Sequence, residues 1–140
     1  MKRRYKNTAP DYPPAYEEGF LQQDYERVAV SLQEDPSQAT LIFSPLRTTL
    51  LHAACYDCRA DLAEQLILLG ADVHAQEVNG RTPLHHAANN GCLDVIDVLV
   101  RHGANLETKD GGGMTALMWG KISRWGRREE IVAKLNGYGA

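Results

Sequence analysis

Apolar positions in this chain fall into short helical stripes separated by polar, glycine-bearing turns. In "CLDVIDVLVRH", Leu93, Val95, Ile96, Val98, Leu99 and Val100 cover more than one face, the pattern of a helix sandwiched between neighbours rather than lying on a surface. Upstream, "FLQQDYERVAVSLQEDP" places Leu21, Tyr25, Val28 and Leu32 at i, i+4, i+7 and i+11. That stripe predicts a helix from about Asp24 to Glu34, with Pro36 as its stop. "TPLHHAANNG" predicts a shorter helix of another kind. Thr82 stands at the N-cap and Pro83 at the first helical position, where its missing N–H costs nothing. Ala87 and Ala88 have no bulk, so neighbouring helices can approach closely, and Gly91 stops the helix in a left-handed conformation. Between the helix pairs lie "QEVNGR" and "KDGGGM", whose glycines supply the positive φ that tight hairpin turns demand.

The stripes recur. "TLLHAACYDC" begins at Thr49, "TPLHHAANNG" at Thr82 and "TALMWGKISR" at Thr115, in equal steps of 33 residues. Gly70-Ala71-Asp72-Val73 matches Gly103-Ala104-Asn105-Leu106 at the same step, whereas Gly139-Ala140 lies 36 beyond Gly103. The third copy therefore holds a three-residue insertion, most simply within "KISRWGRR".

Helix, turn, helix and hairpin at this period, opened by Thr-Pro-Leu-His, resembles the ankyrin repeat from about Ser44 to Ala140. The best copy is "TPLHHAANNGCLDVIDVLVRHGAN". Copy one departs at Leu50, where Pro is usual, and at Cys58, where the stop glycine is usual. Copy three has Ala116 and Met118 in place of the Pro and the His. The resemblance implies an all-α repeat solenoid of helix-turn-helix units with β-hairpin loops, about four units including degenerate caps. One repeat cannot bury its own apolar face, so the stack needs caps. The expected organisation is an arm over 1–15, a degenerate N-terminal capping repeat over 16–43, repeats over 44–76 and 77–109, and a third repeat or C-terminal cap over 110–140. That last copy stops at "GYGA", where its hairpin would begin, so Ala140 need not be the natural end.

Composition narrows the function. The chain is 44% hydrophobic and 24% charged with a net charge of −3, so no global positive field argues for nucleic acid or an anionic membrane. No apolar run approaches the ~18 residues of a membrane span, and "MKRRYKNTAPDYPP" has no apolar stretch after its basic cluster to act as a secretory signal. Three cysteines, Cys55, Cys58 and Cys92, are too few and too odd for a disulfide framework, which favours reduced thiols in a cytoplasmic protein, or a nuclear one in a eukaryote.

The histidines are the first candidates for chemistry. The resemblance implies that His52 and His85 are structural, their imidazoles bonding backbone of the adjoining hairpins. A shared metal is the alternative, but adjacent helices lie ~8–10 Å apart, too far for easy joint ligation. Cys55 and Cys58 with His52 form a Cys-x-x-Cys pair that could bind zinc or do redox work, and Cys92 lies one repeat from Cys58. Cys55, however, falls on a small-residue position that the repeat buries, and there is no second Cys-x-x-Cys. "PPAY" (Pro13, Pro14 and Tyr16) has the form of a WW-domain ligand. Lys121, Arg124, Arg127 and Arg128 surround Trp125 and could hold an acidic protein segment, although Glu129 and Glu130 follow at once. No nucleophile, base and orienting acid assemble, and the triple glycine lacks a phosphate-loop context, so neither catalysis nor a cofactor is expected.

The expected function is non-enzymatic binding of another protein through the concave face, as an adaptor or scaffold. A stoichiometric inhibitor of immunity or antitoxin type is one alternative, and a small zinc or redox protein of Cys55 and Cys58 is the other. The resemblance maps that face onto Tyr56 and Asp57 in the first repeat. In the second it picks out Gln76, Val78, Asn79, Arg81, His86, Asn89 and Asn90, and in the third Lys109, Met114, Trp119, Ile122 and Ser123. The partner's matching surface is expected to be apolar at its centre and acidic where it meets Arg81 and Lys109.

Overall fold

Each predicted short helix of the 33-residue unit forms and is followed by a longer one. The computed structural model describes residues 25–43 and 46–140. Within them run α1 (Tyr25–Glu34), a 3₁₀ turn (Pro36–Thr40), α2 (Leu50–Tyr56), α3 (Ala60–Leu68), α4 (Pro83–Asn89), α5 (Leu93–Arg101), α6 (Ala116–Lys121) and α7 (Arg128–Gly137). The pairs α2–α3, α4–α5 and α6–α7 stack so that α2, α4 and α6 form one row and α3, α5 and α7 the other, with α1 heading the second row. No helix among the described residues is long and apolar enough to cross a membrane.

Thr49, Thr82 and Thr115 take extended backbone at the three N-caps. The core is periodic as well. Leu66, Leu99 and Leu135 are fully buried at equivalent places in α3, α5 and α7. Burying each such leucine contributes about 1.5–3 kcal/mol. Their approach to the first row depends on small residues, Ala54 and Ala87 in α2 and α4 and Gly120 in α6. A Cβ on Gly120 would stand 2.6 Å from Ile131 Cγ2, a branch of a fully buried side chain. Gly120→Ala is therefore expected to destabilise by about 1–3 kcal/mol through overpacking, despite alanine's better helix propensity. An unchanged or raised melting temperature would show that α6 and α7 can move apart freely.

The second row is also tied at its surface. Glu64 of α3 accepts from Arg101 at 3.0 Å and from His102 at 2.9 Å. One unit on, Asp97 of α5 accepts from Lys134 Nζ at 2.8 Å and from the Tyr138 hydroxyl. Ties this exposed contribute at most about 1 kcal/mol each.

Where hairpins were expected, the described residues hold turns rather than strands, plus one isolated antiparallel bridge from Phe43 to Thr48. One turn is closed by Glu77 N donating to Arg81 O at 3.0 Å, and the next by Asp110 N donating to Met114 O at 2.9 Å. Consecutive tips are joined by Val78 N to Leu46 O and by Gly111 N to Asn79 O, both at 2.8 Å. Gly80 sits at this seam with φ +77°, and a Cβ there would lie 2.7 Å from Gly111 N.

Candidate functional site

The turn tips and the first helices enclose a groove of about 850 Å³. Gln76, Val78, Asn79, Arg81, Met114 and Trp119, all expected on the recognition face, line it together. Val78 is 54% exposed and offers its apolar branches to solvent. The Arg81 guanidinium lies 4.6 Å over the Trp119 ring, a contact worth about 0.5–1 kcal/mol at an exposed site. Behind both stands Asp110. Its carboxylate accepts from Gly112 N and Met114 N at 2.9 Å each and from Trp119 Nε1 at 2.8 Å, with Arg81 Nε at 3.9 Å. Burial raises the Asp110 carboxyl, but the Met114, Trp119 and Gly112 donors outweigh it and hold it below the usual carboxylate range. Glu77 has the matching role in the preceding unit, accepting from Asn79 N at 2.7 Å and Arg81 N at 3.2 Å. Both acids of the groove are thus turned onto their own backbone, Asp110 also facing the half-buried Arg81, and Arg47 is exposed at the rim.

The histidines hold the tips in register with the helices. His52 Nδ1 accepts from Thr49 N at 3.2 Å, and His85 Nδ1 accepts from Thr82 N at 3.0 Å. Because Nδ1 accepts an N–H, the proton of the neutral ring sits on Nε2. Nε2 donates to Arg81 O from His52 at 3.1 Å and to Met114 O from His85 at 2.8 Å. Each imidazole therefore ties a helix cap to the next turn, in agreement with the structural role that the resemblance implied. The metal alternative fails because all four ring nitrogens are engaged.

Most of the remaining expected residues lie along the ends of the first helices, with Lys109 in the last turn and Trp125 in the insertion. His86 is half-buried with its ring against those of His52 and Tyr56, at centroid distances of 5.7 and 5.8 Å. Asn90 Nδ2 donates to Tyr56 O at 2.8 Å, and Tyr25 OH donates to Asp57 at 2.7 Å. Asn89 is half-buried, whereas Lys109, Ile122 and Trp125 are exposed. Ser123 is fully buried and donates through Oγ to Asn89 O at 2.8 Å. It braces the insertion against α4 and presents nothing to a partner. The Pro13, Pro14 and Tyr16 motif lies outside the described residues.

Two expectations about the cysteines need correction. Cys58 and Cys92 form a disulfide, with Cα atoms 5.0 Å apart, where reduced thiols were expected. Cys58 adopts φ +58° at the place where Gly91 has φ +72° one unit later, and this swings its sulfur toward the start of α5. The zinc or redox pair of Cys55 and Cys58 does not assemble. Cys58 is bonded to Cys92, and Cys55 is fully buried, which pushes its thiol far up. Among the described residues no group of three or more His, Cys, Asp or Glu is placed to hold a metal ion.

Arg47, Glu77 and Asp110 are the residues that sequence reasoning passed over. A signal existed for each. Arg47 lies 33 residues before Gly80 and shares its left-handed φ, at +57°. Glu77 and Asp110 are carboxylates at the same position of successive turns.

Comparison with known proteins agrees with this architecture. The sequence profile of the family described as ankyrin repeats (3 copies) matches residues 48–140. The chain is 42% identical over 69 residues to the ADP-ribosylation factor GTPase-activating protein AGD2 of Arabidopsis thaliana, covering 49% of this chain and 9% of that protein. It is 41% identical over 71 residues to the Neurogenic locus Notch protein of Drosophila melanogaster, covering 50% and 3%. With ankyrin repeat and SOCS box protein 11 of Homo sapiens it shares 40% over 74 residues, covering 52% and 22%. In each case the chain spans only a small fraction of the relative's length.

Proposed function

We propose that this chain, which belongs to the ankyrin-repeat family, recognises a partner protein without catalysis through the groove between its turn tips and first helices. Ankyrin repeats are in general protein–protein interaction modules, and the relatives' further activities belong to lengths of chain that this one does not match. The observation that carries the reading is the composition of the groove. Val78, Met114 and Trp119 supply an apolar floor, Arg81 and Arg47 supply positive charge, and Glu77 and Asp110 are tied to their own backbone. The partner that fits is a protein segment with an apolar centre and an acidic flank, which would meet Arg81 and the exposed Lys109. Trp119 is the natural anchor, being aromatic, held by Asp110 and backed by Arg81.

Photo-crosslinking in the source cell tests this. A crosslinking residue at Val78 or at Met114 is expected to capture the same protein. The same residue at Leu68, which is 70% exposed on α3 in the second row, is expected to leave it uncaptured. Capture from Leu68 alone would move recognition to the outer row.

A further inference from the structure

The Cys58–Cys92 bond borders a second cavity, of about 460 Å³, on the edge where the two helix rows join. Asn90, Gly91, Asp94, Trp125 and Arg127 line it with the two cysteines. Trp125 and Arg127 reach it because the insertion folds back over Gly91. A Cβ on Gly91 would lie 3.5 Å from Trp125 Cβ and 3.8 Å from Arg127 Cδ. The two cysteines differ in access, since Cys58 is an exposed residue whereas Cys92 is only 3% exposed. Cys92 is also the N-cap of α5, whose first turn receives no hydrogen bond from the cap side chain. Asp94 and Arg127, of opposite charge, flank the cavity.

We propose that Cys58 is a site of reversible thiol–disulfide exchange with a small zwitterionic peptide thiol of the glutathione class. The incoming thiolate attacks Cys58 Sγ and forms a mixed disulfide there. The Sγ–Sγ bond to Cys92 breaks with its electron pair on Cys92 Sγ, which leaves as a thiolate and takes its proton from water. Oxidation level is conserved, with one disulfide consumed and one formed. A second thiolate attacking the adduct at the peptide sulfur releases the oxidised peptide and leaves Cys58 as a thiol, a net two-electron reduction. The reverse attack by Cys92 on the adduct restores the bond. Three features direct the exchange. Burial shields Cys92 from attack, so the adduct forms on Cys58. The N-terminus of α5 places positive helix-end charge beside the departing Cys92 sulfur, partly offset by the Asp94 carboxylate of its first turn. The cavity has the size of a small-ligand site, with Arg127 set to meet a carboxylate of the peptide and Asp94 its ammonium. Cys55 does not participate, because its thiol is buried and neutral. The inference does not depend on the partner-binding reading.

Intact chain treated with reduced glutathione, quenched with an alkylating agent and mapped by peptide mass spectrometry tests the assignment. The expected result is glutathione on Cys58, with Cys92 and Cys55 carrying the alkyl group once the chain is denatured in the presence of the agent. Glutathione on Cys92, or a bond that opens with dithiothreitol and never with glutathione, would overturn it. So would three alkylated cysteines in chain denatured without any reductant. Recognition of the peptide's charges is read separately as the ratio of the opening rates with glutathione and with neutral 2-mercaptoethanol. Arg127→Gln together with Asp94→Asn is expected to lower that ratio about three-fold, the scale of exposed ion pairs. An unchanged ratio would remove the zwitterion from the proposal.

Discussion

Leu99→Ala is expected to lower the free energy of unfolding by about 2–5 kcal/mol, enough to leave much of the chain unfolded at moderate temperature. Leu99 is fully buried in α5, which lies between α3 and α7 and packs on both. Truncation opens a cavity that the rigid pairs on either side cannot collapse into. A repeat stack gains most of its stability at the interfaces between units, and Leu99 belongs to the pair that has a neighbour on each side. Leu68→Ala, on the exposed face of α3, is expected to stay within about 0.5 kcal/mol of the unsubstituted chain. Urea unfolding of the two variants decides the matter. Equal midpoints would mean that periodic burial is not what holds the units together.

Periodicity also explains how far the fold was legible in the sequence. A step of 33 residues puts equivalent side chains into equivalent surroundings, so reading one good copy reads its neighbours. The Thr82 cap, the left-handed Gly91 and the burial of Leu99 followed from local pattern alone. The imidazole ties of His52 and His85 followed from the family resemblance. Contacts that depend on where chemistry meets across units were less visible. Ser123 was grouped with the recognition residues by position, yet the insertion turns it inward onto Asn89 O. Cys58 and Cys92 are 34 residues apart, one more than the period, and spacing could place them near each other without fixing the bond. That bond depends on the φ of +58° at Cys58, a conformation that a cysteine side chain does not announce. Asp110 and Glu77 read as ordinary turn acids. Only the structure shows that they bond their own turn N–H groups beside Arg81 and Arg47.

Stability is expected to fall as the pH drops from about 6.5 toward 5, well above the range in which carboxylates titrate. Three imidazoles are responsible. His52 and His85 are held below the ordinary histidine range, chiefly by burial. His86 is pushed down to about 3 by burial and by the charges of its neighbours His52, Arg81 and His85. In the unfolded chain all three take up protons near pH ~6.5. Between that pH and the lower folded values, the unfolded state binds more protons, so acid favours it. The stabilising effect is therefore complete above about 6.5 and is lost as the pH falls toward the folded values. Each imidazole contributes a slope of about 1.4 kcal/mol per pH unit, and the three together about 4 at most. Protonation at Nδ1 of His52 or His85 also turns the acceptor of the cap N–H into a donor, so that bond is lost while Nε2 still donates to the next turn. The carboxylates act lower down, Glu64 being held below its usual range by the His102 hydrogen bond, so their share is lost only below about pH 4. Urea midpoints taken between about pH 7 and 5 measure the slope. His86→Gln, which leaves the cap and turn bonds of His52 and His85 intact, is expected to reduce it by about one third or more. A midpoint flat to about pH 5 that collapsed only in the carboxylate range would assign acid sensitivity to Asp and Glu. The histidines would then be anchors of the stack with no share in its response to pH.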